Sequence, residues 1–172
     1  MEFDEVIRSR YSVRAFSDRA IEADKLARIL EAGRIAPTAV NYQPQRVYIL
    51  QSEDALKKAN ALCPCIYGAP TVLLFAYDEN ADWKNAKQAG IRSGVQDVSI
   101  VATHIMLAAW NEGIGSCWVN LFQNSEVEKV FALPANERCV LLMSVGYPAE
   151  NAEPYAPWHN VNKPLSETVA YL

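Results

Sequence analysis

The chain has 172 residues, of which 51% are hydrophobic and 21% are charged, as in a single globular domain with a substantial core. Its 16 basic and 20 acidic residues give a net charge of -4, and no basic stripe follows the first cluster, so we expect no nucleic-acid partner. The apolar run Val72 to Tyr77 is far shorter than the roughly 20 residues that span a bilayer. The N-terminus lacks the basic-then-apolar order of residues that is typical of a signal peptide, so we expect the protein to be cytoplasmic and not membrane-bound.

Three arginines lie close together near the N-terminus, within the stretch Arg8 to Phe16. A guanidinium group always carries its charge and offers five donors, so Arg10 and Arg14 beside the hydroxyls of Tyr11 and Ser12 form a candidate phosphate cradle. The solvated end of a short N-terminal helix would explain the same arginines. Spacing alone leaves both interpretations open.

A loop rich in amide side chains follows the first long helical pattern. That pattern begins at Glu22 and has to end at Pro37, because proline denies the next turn its hydrogen bond. Asn41, Gln43 and Gln45 then offer donors and acceptors that could bind the edge of a heterocycle. Ordinary turn formation is the alternative.

The rest of the chain alternates strands with helices. Unbroken apolar runs predict buried strands, and apolar residues at intervals of three and four predict helices. The spacing of Ser125 and Glu128 is that of a capping box at a helix start. Strands are predicted over 46–51, 71–77, 116–120 and 139–145, helices over 53–61, 93–110 and from 125, and a loop or lid over 78–92.

The last 26 residues, Tyr147 to Leu172, form an unusual tail. Its four prolines exclude a continuous helix, yet its tyrosines, tryptophan and aliphatic residues are too apolar for a disordered segment. Such an extended arm has to lie on a surface. We expect it to embrace another subunit, and wrapping around its own domain is the alternative.

The four cysteines predict no metal site. Cys63 and Cys65 have C-x-C spacing, and no second pair or nearby histidine completes a set of four ligands. Reduced structural thiols are the simpler interpretation.

Four stretches together resemble the nitroreductase family of FMN-dependent oxidoreductases. They are similar to the family's R-x-S-x-R/K-x-F opening, its A-P-S-x-x-N-x-Q-P loop, its G-L-G-(S/T)-C-W-I turn, and its closing G-x-P and K-P-L. In this sequence they are Arg8 to Phe16, Ala36 to Pro44, Gly113 to Val119, and Gly146 to Pro148 with Lys163 to Leu165. The resemblance runs nearly from end to end. This chain has Asn162 where family members often have arginine, and Asn120 where glycine commonly follows the W-I pair.

The resemblance implies an α+β nitroreductase-like fold, in which helices flank a central, mainly antiparallel sheet. Residues 1–172 would form one FMN-binding domain, and residues 147–172 would be an arm exchanged in an intertwined homodimer.

The resemblance also assigns cofactor-binding residues. Arg10, Tyr11 and Ser12 would approach the phosphate and ribityl chain, and Arg14 the N1/O2 edge of the flavin ring. Gln43 would lie at the margin of the cofactor. Four further residues would come from the opposite subunit, namely Pro37, Thr38, Ala39 and Asn41. The remaining predicted residues are Trp118, Val119 and Asn120 at the ring, and Lys163 at the phosphate.

The implied function is transfer of hydride from NAD(P)H through FMN to a nitroaromatic, a quinone or a similar electrophile, with ping-pong kinetics. FMN would carry the redox chemistry, so neither a catalytic side chain nor a metal is expected. A flavin-binding sensor or carrier without turnover is one alternative, and a dimeric interaction module without a cofactor is another.

Overall fold

The computed structural model describes residues 1–172, and its elements follow the order predicted from the sequence. The helices are α1 (Phe3–Ser9), α2 (Ala23–Arg34), α3 (Glu53–Leu62), α4 (Gly94–Asn111), α5 (Asn124–Val130) and α6 (Leu165–Thr168), and the strands are β1 (Gln45–Leu50), β2 (Thr71–Asp78), β3 (Gly115–Val119) and β4 (Glu137–Gly146).

The four strands form one antiparallel sheet in the order β1-β2-β4-β3. The two central strands are β2 and β4, and their continuous apolar runs are buried because helices or loops cover both faces of the sheet. One core lies between the sheet and helices α2 and α4, and a second lies on the opposite face under α3 and α5. The predicted α+β class with an antiparallel sheet is confirmed.

Helix α4 is the main support of the first core. Val98, Val101 and Ile105 on one of its faces are buried, as their spacing predicts. Helix α2 packs closely on α4 because Gly33 has no side chain: a Cβ there would lie 2.6 Å from Cδ1 of Ile105. Val95 is 54% exposed in the first turn of α4, outside both cores.

The predicted capping box at Ser125 does not form. Helix α5 begins at Asn124, and its N-cap residue Gln123 makes no capping side-chain hydrogen bond. Glu128 instead accepts a 2.8 Å hydrogen bond from the backbone N–H of Cys139 in β4. The Glu128 carboxylate, which the capping box would have used, therefore attaches the helix to the sheet.

The segment between β2 and α4 forms turns, as the loop prediction requires. Arg92 holds it together by donating two 2.8 Å hydrogen bonds to the buried carboxylate of Asp82.

All four cysteines are unpaired, and only Cys65 is not buried. No helix has both the length and the apolar character required to cross a membrane.

Candidate functional site

The N-terminal arginine cluster is attached to the edge strand β3. Ser12 forms a parallel bridge with Ser116, and the backbone N–H of Val13 donates a 2.9 Å hydrogen bond to the carbonyl of Ser116. Successive side chains of an extended segment point to opposite sides, and here Val13 is fully buried. Its neighbours Ser12 and Arg14 line a surface cavity instead.

Gly115 makes this attachment possible. A Cβ at this position would lie 2.6 Å from Cγ2 of Val13 and 3.2 Å from Cγ of Pro148, closer than side chains normally pack. The absence of a side chain thus lets the arginine segment approach β3. The Gly-Ile-Gly turn consequently has a packing role in addition to ending α4.

The cavity beside the arginine segment has a volume of about 170 Å³. One wall comes from the N-terminal segment and the other from the C-terminal arm of the same chain. Its lining residues are Arg10, Tyr11, Ser12, Arg14, Tyr155, Trp158 and His159. The structure thus brings four of the predicted cofactor residues together, and we call this space the arginine cavity.

Aromatic contacts hold the arm against the arginine cavity. The guanidinium carbon of Arg14 lies 5.6 Å from the ring centroid of Trp158 and 5.8 Å from that of Tyr155, within the range of cation–π attraction. The hydroxyl of Tyr11 donates a 3.3 Å hydrogen bond to the carbonyl of Ala152. Burial, and to a lesser extent the charge of Glu153, raises the pKa of Tyr11, which keeps this hydroxyl protonated as a donor.

The arginines of the cluster differ from all others in the chain in their charge balance. None of Arg8, Arg10 and Arg14 forms an ion pair with a carboxylate. Each of the other six arginines does form one, namely Arg19, Arg28, Arg34, Arg46, Arg92 and Arg138. Two of these guanidinium groups, those of Arg10 and Arg14, line the arginine cavity, and cations without a counter-charge beside a cavity are the arrangement expected of an anion site.

The amide loop lies outside the arginine cavity of its own chain. Its backbone is strained, with positive φ angles at Val40 (53°), Asn41 (57°) and Gln43 (52°). Two hydrogen bonds support it: the N–H of Ala39 donates to Oδ1 of Asp97 at 2.8 Å, and the N–H of Gln43 donates to Oγ1 of Thr38 at 3.1 Å. The predicted residues Pro37, Thr38, Ala39, Asn41 and Gln43 thus lie in one loop, and none of them lines the arginine cavity of this chain.

The other predicted residues are also outside the arginine cavity. Val119 is buried at the end of β3, and the indole N–H of Trp118 donates a 3.0 Å hydrogen bond to Oδ1 of the exposed Asn120. Lys163 lies on the arm, where its side chain is 74% exposed and 3.6 Å from the carboxylate of Glu167. None of these four residues lines the arginine cavity.

Sequence reasoning missed the wall formed by the arm residues Tyr155, Trp158 and His159. The available signal was the aromatic character of the arm, which indicates that it lies on a surface. This part of the arm contacts its own N-terminal segment, which is the alternative of an arm that wraps around its own domain.

Comparison with known proteins agrees with this architecture. The model of the nitroreductase family matches the chain over residues 7–65 and 57–147. The chain belongs to the nitroreductase family. The family predicted from the four sequence motifs is therefore confirmed.

Relatives support the assignment along the whole chain. The crystal structure of a nitroreductase family protein from Clostridium difficile 630 is 34% identical, covers 99% of this chain and 98% of its own, and superposes with a TM-score of 0.91. The FMN reductase [NAD(P)H] of Bacillus subtilis (strain 168) is 28% identical over 92% of this chain and 73% of its own length. A Desulfovibrio desulfuricans protein crystallised in complex with FMN is 24% identical and has the same fold, with a TM-score of 0.82 over 100% of this chain and 97% of its own.

Proposed function

We propose that this nitroreductase-family protein is an FMN-dependent oxidoreductase that passes hydride from NAD(P)H to a nitroaromatic, a quinone or a similar electrophile. The observation that carries the proposal is the pair Arg10 and Arg14, which line the arginine cavity and have no carboxylate partner. Buried or clustered cations without a counter-charge are costly unless a ligand neutralises them. A relative named as an FMN reductase supports the same chemistry.

The residues of the chain supply binding and electrostatics. Arg10 and Ser12 would hold the phosphate by charged and neutral hydrogen bonds, with Tyr11 between them. Arg14 would place a fixed positive charge at the ring, where negative charge develops during reduction. When bound, FMN supplies the hydride chemistry itself, so the chain needs no catalytic side chain.

A homodimer would complete the site. The amide loop exposes Val40 (67%) and Tyr42 (54%), and α4 exposes Val95. The arm exposes Val161 and Leu165, which are 71% and 77% exposed. Apolar surface of this extent favours association. In the proposed intertwined dimer, arms exchange contacts and the amide loop of one subunit reaches the flavin ring held by the other.

The direct test is flavin binding followed by reduction. We expect purified protein titrated with FMN to bind it, and we expect rapid bleaching of the flavin absorbance when NADH or NADPH is added in a stopped-flow instrument. Protein that binds no FMN would refute the proposal. Protein that binds FMN but is not reduced by either nucleotide would be a flavin carrier or sensor, which is the second function considered from the sequence.

Turnover and assembly need separate measurements. Initial rates at several fixed acceptor concentrations should give the parallel double-reciprocal lines of a ping-pong reaction. Sedimentation velocity of the full chain should give the mass of a dimer, twice 19.2 kDa. A monomer that still reduces FMN would show that the amide loop of a second subunit is not required.

A further inference from the structure

Arg8 is the one arginine of the cluster to which neither the family resemblance nor the proposed function gives a role. It lies in the last turn of α1, and the structure places it at a second cavity of about 580 Å³. The lining residues of this second cavity are Ile7, Arg8, Arg10, Trp158, His159, Asn160 and Asn162. Arg8 is exposed and lines an open space whose other wall is the arm.

The second cavity shares three of its lining residues with the arginine cavity. Arg10, Trp158 and His159 line both of them. The lining of the second cavity includes two guanidinium groups, an imidazole and two amides, and it includes no carboxylate. All of these side chains can donate hydrogen bonds. An anion that reaches from Arg10 into the second cavity would meet donors on both walls.

We propose that Arg8 and His159 are additional ligands of the phosphate group of FMN, which they would hold from opposite walls together with Arg10. This inference rests on the proposed function. A phosphate monoester has three terminal oxygens and a charge near -2, more than one guanidinium neutralises. Arg8 supplies the second cation, and it does so from the N-terminal segment because the arm has the neutral Asn162 at this cavity.

A purely structural role for Arg8 makes a different prediction. Arg8 is in the last turn of a seven-residue helix, where a cation interacts favourably with the backbone carbonyl groups. That role would make the protein more stable but would not distinguish between flavins. Riboflavin, which has the same ring and ribityl chain but no phosphate, separates the two roles.

The experiment measures dissociation constants for FMN and riboflavin from the quenching of flavin fluorescence, at one fixed ionic strength. For Arg8→Gln we expect FMN binding to weaken by about tenfold or more, the usual effect of losing a charged hydrogen bond, with riboflavin binding unchanged. For His159→Gln we expect a smaller loss, again confined to FMN. The matched control is Lys57→Gln, which removes one positive charge at an exposed position on α3 and should alter neither constant.

Each outcome decides the proposal. If Arg8→Gln binds FMN as tightly as the unaltered protein, or weakens FMN and riboflavin equally, the inference is overturned and the proposed function stands. If the unaltered protein binds neither flavin, the proposed function fails and this inference fails with it. If circular dichroism shows that Arg8→Gln is unfolded, Arg8→Lys and His159→Gln decide by the same ratio of the two constants, and an unchanged ratio in both would overturn the inference.

Discussion

The carboxylate of Asp97 accepts a 2.8 Å hydrogen bond from the backbone N–H of Ala39 and a 2.7 Å hydrogen bond from the hydroxyl of Ser93. Asp97 is only 2% exposed, so neither bond competes much with water. Ser93 in turn accepts a 3.1 Å hydrogen bond from the backbone N–H of Trp83. One buried carboxylate of α4 thereby connects the strained amide loop with the segment before the helix.

Substitution Asp97→Ala should loosen the amide loop. The change leaves the N–H of Ala39 and the hydroxyl of Ser93 without their acceptor, which costs about 1 to 3 kcal/mol per buried group. We expect a lower free energy of unfolding in urea and faster hydrogen exchange of the Ala39 amide. Asp97→Asn keeps one oxygen acceptor and should retain most of the protection. Unchanged exchange in Asp97→Ala would show that the positive φ angles at Val40 and Asn41 are maintained by other contacts.

Substitution Arg14→Ala should slow flavin reduction. The variant removes the positive charge proposed to stabilise the reduced ring, and it also removes the cation–π contacts with Trp158 and Tyr155. We expect a reduction rate lower by about tenfold or more in stopped-flow mixing with NAD(P)H, the order of effect seen when one stabilising group is lost. The sedimentation coefficient should match that of the unaltered protein. A reduction rate equal to that of the unaltered protein would remove Arg14 from its assigned role.

Substitution Gly115→Ala should displace the arginine segment from β3. The new Cβ would lie 2.6 Å from Cγ2 of Val13, so either β3 or the arginine segment has to move. Overpacking of this kind typically costs about 1 to 3 kcal/mol, measurable by urea denaturation, and FMN affinity should fall as well. Val13→Ala removes the clashing methyl groups, so the double variant should regain FMN affinity relative to Gly115→Ala. If Gly115→Ala alone binds FMN normally, the close approach of the segment is not needed for the site.

Tyr48 and Glu137 predict a loss of stability at alkaline pH. The hydroxyl of Tyr48 donates a hydrogen bond to the carboxylate of Glu137, which is 6% exposed. Burial first, and then this carboxylate, raises the pKa of Tyr48 from 10.0 to about 12. Between these pH values the unfolded chain loses the phenolic proton while the folded chain keeps it, so the free energy of unfolding should fall as pH rises.

Substitution Tyr48→Phe provides the measurement. Urea denaturation at pH 8, 10 and 11 should show a smaller decline for Tyr48→Phe than for the unaltered protein. At pH 8 the variant should be less stable by about 1 to 3 kcal/mol, because Glu137 loses a donor. Tyr171→Phe, at a residue that is 98% exposed, is the control and should follow the unaltered protein. Identical declines for both variants would show that other tyrosines cause the alkaline loss.

The sequence by itself determined the order of the helices and strands and the family. A short continuous apolar run is typical of a strand covered on both faces, which predicted β2 and β4 as buried strands. Guanidinium groups keep their charge in any environment, so three of them near Ser12 make the segment a candidate anion cradle wherever it lies, with the solvated end of a helix as the alternative. These properties are local and need no knowledge of distant contacts.

Only the tertiary structure decided which distant residues meet the arginine segment. Sequence spacing contains no information about the arm crossing back to place Trp158 and His159 beside Arg10, since their separation along the chain is nearly its whole length. Which of several possible hydrogen-bond partners a side chain contacts also depends on the fold. Glu128 contacts β4 and does not cap its helix, and Val95 is exposed although it shares the apolar character of the buried residues of α4.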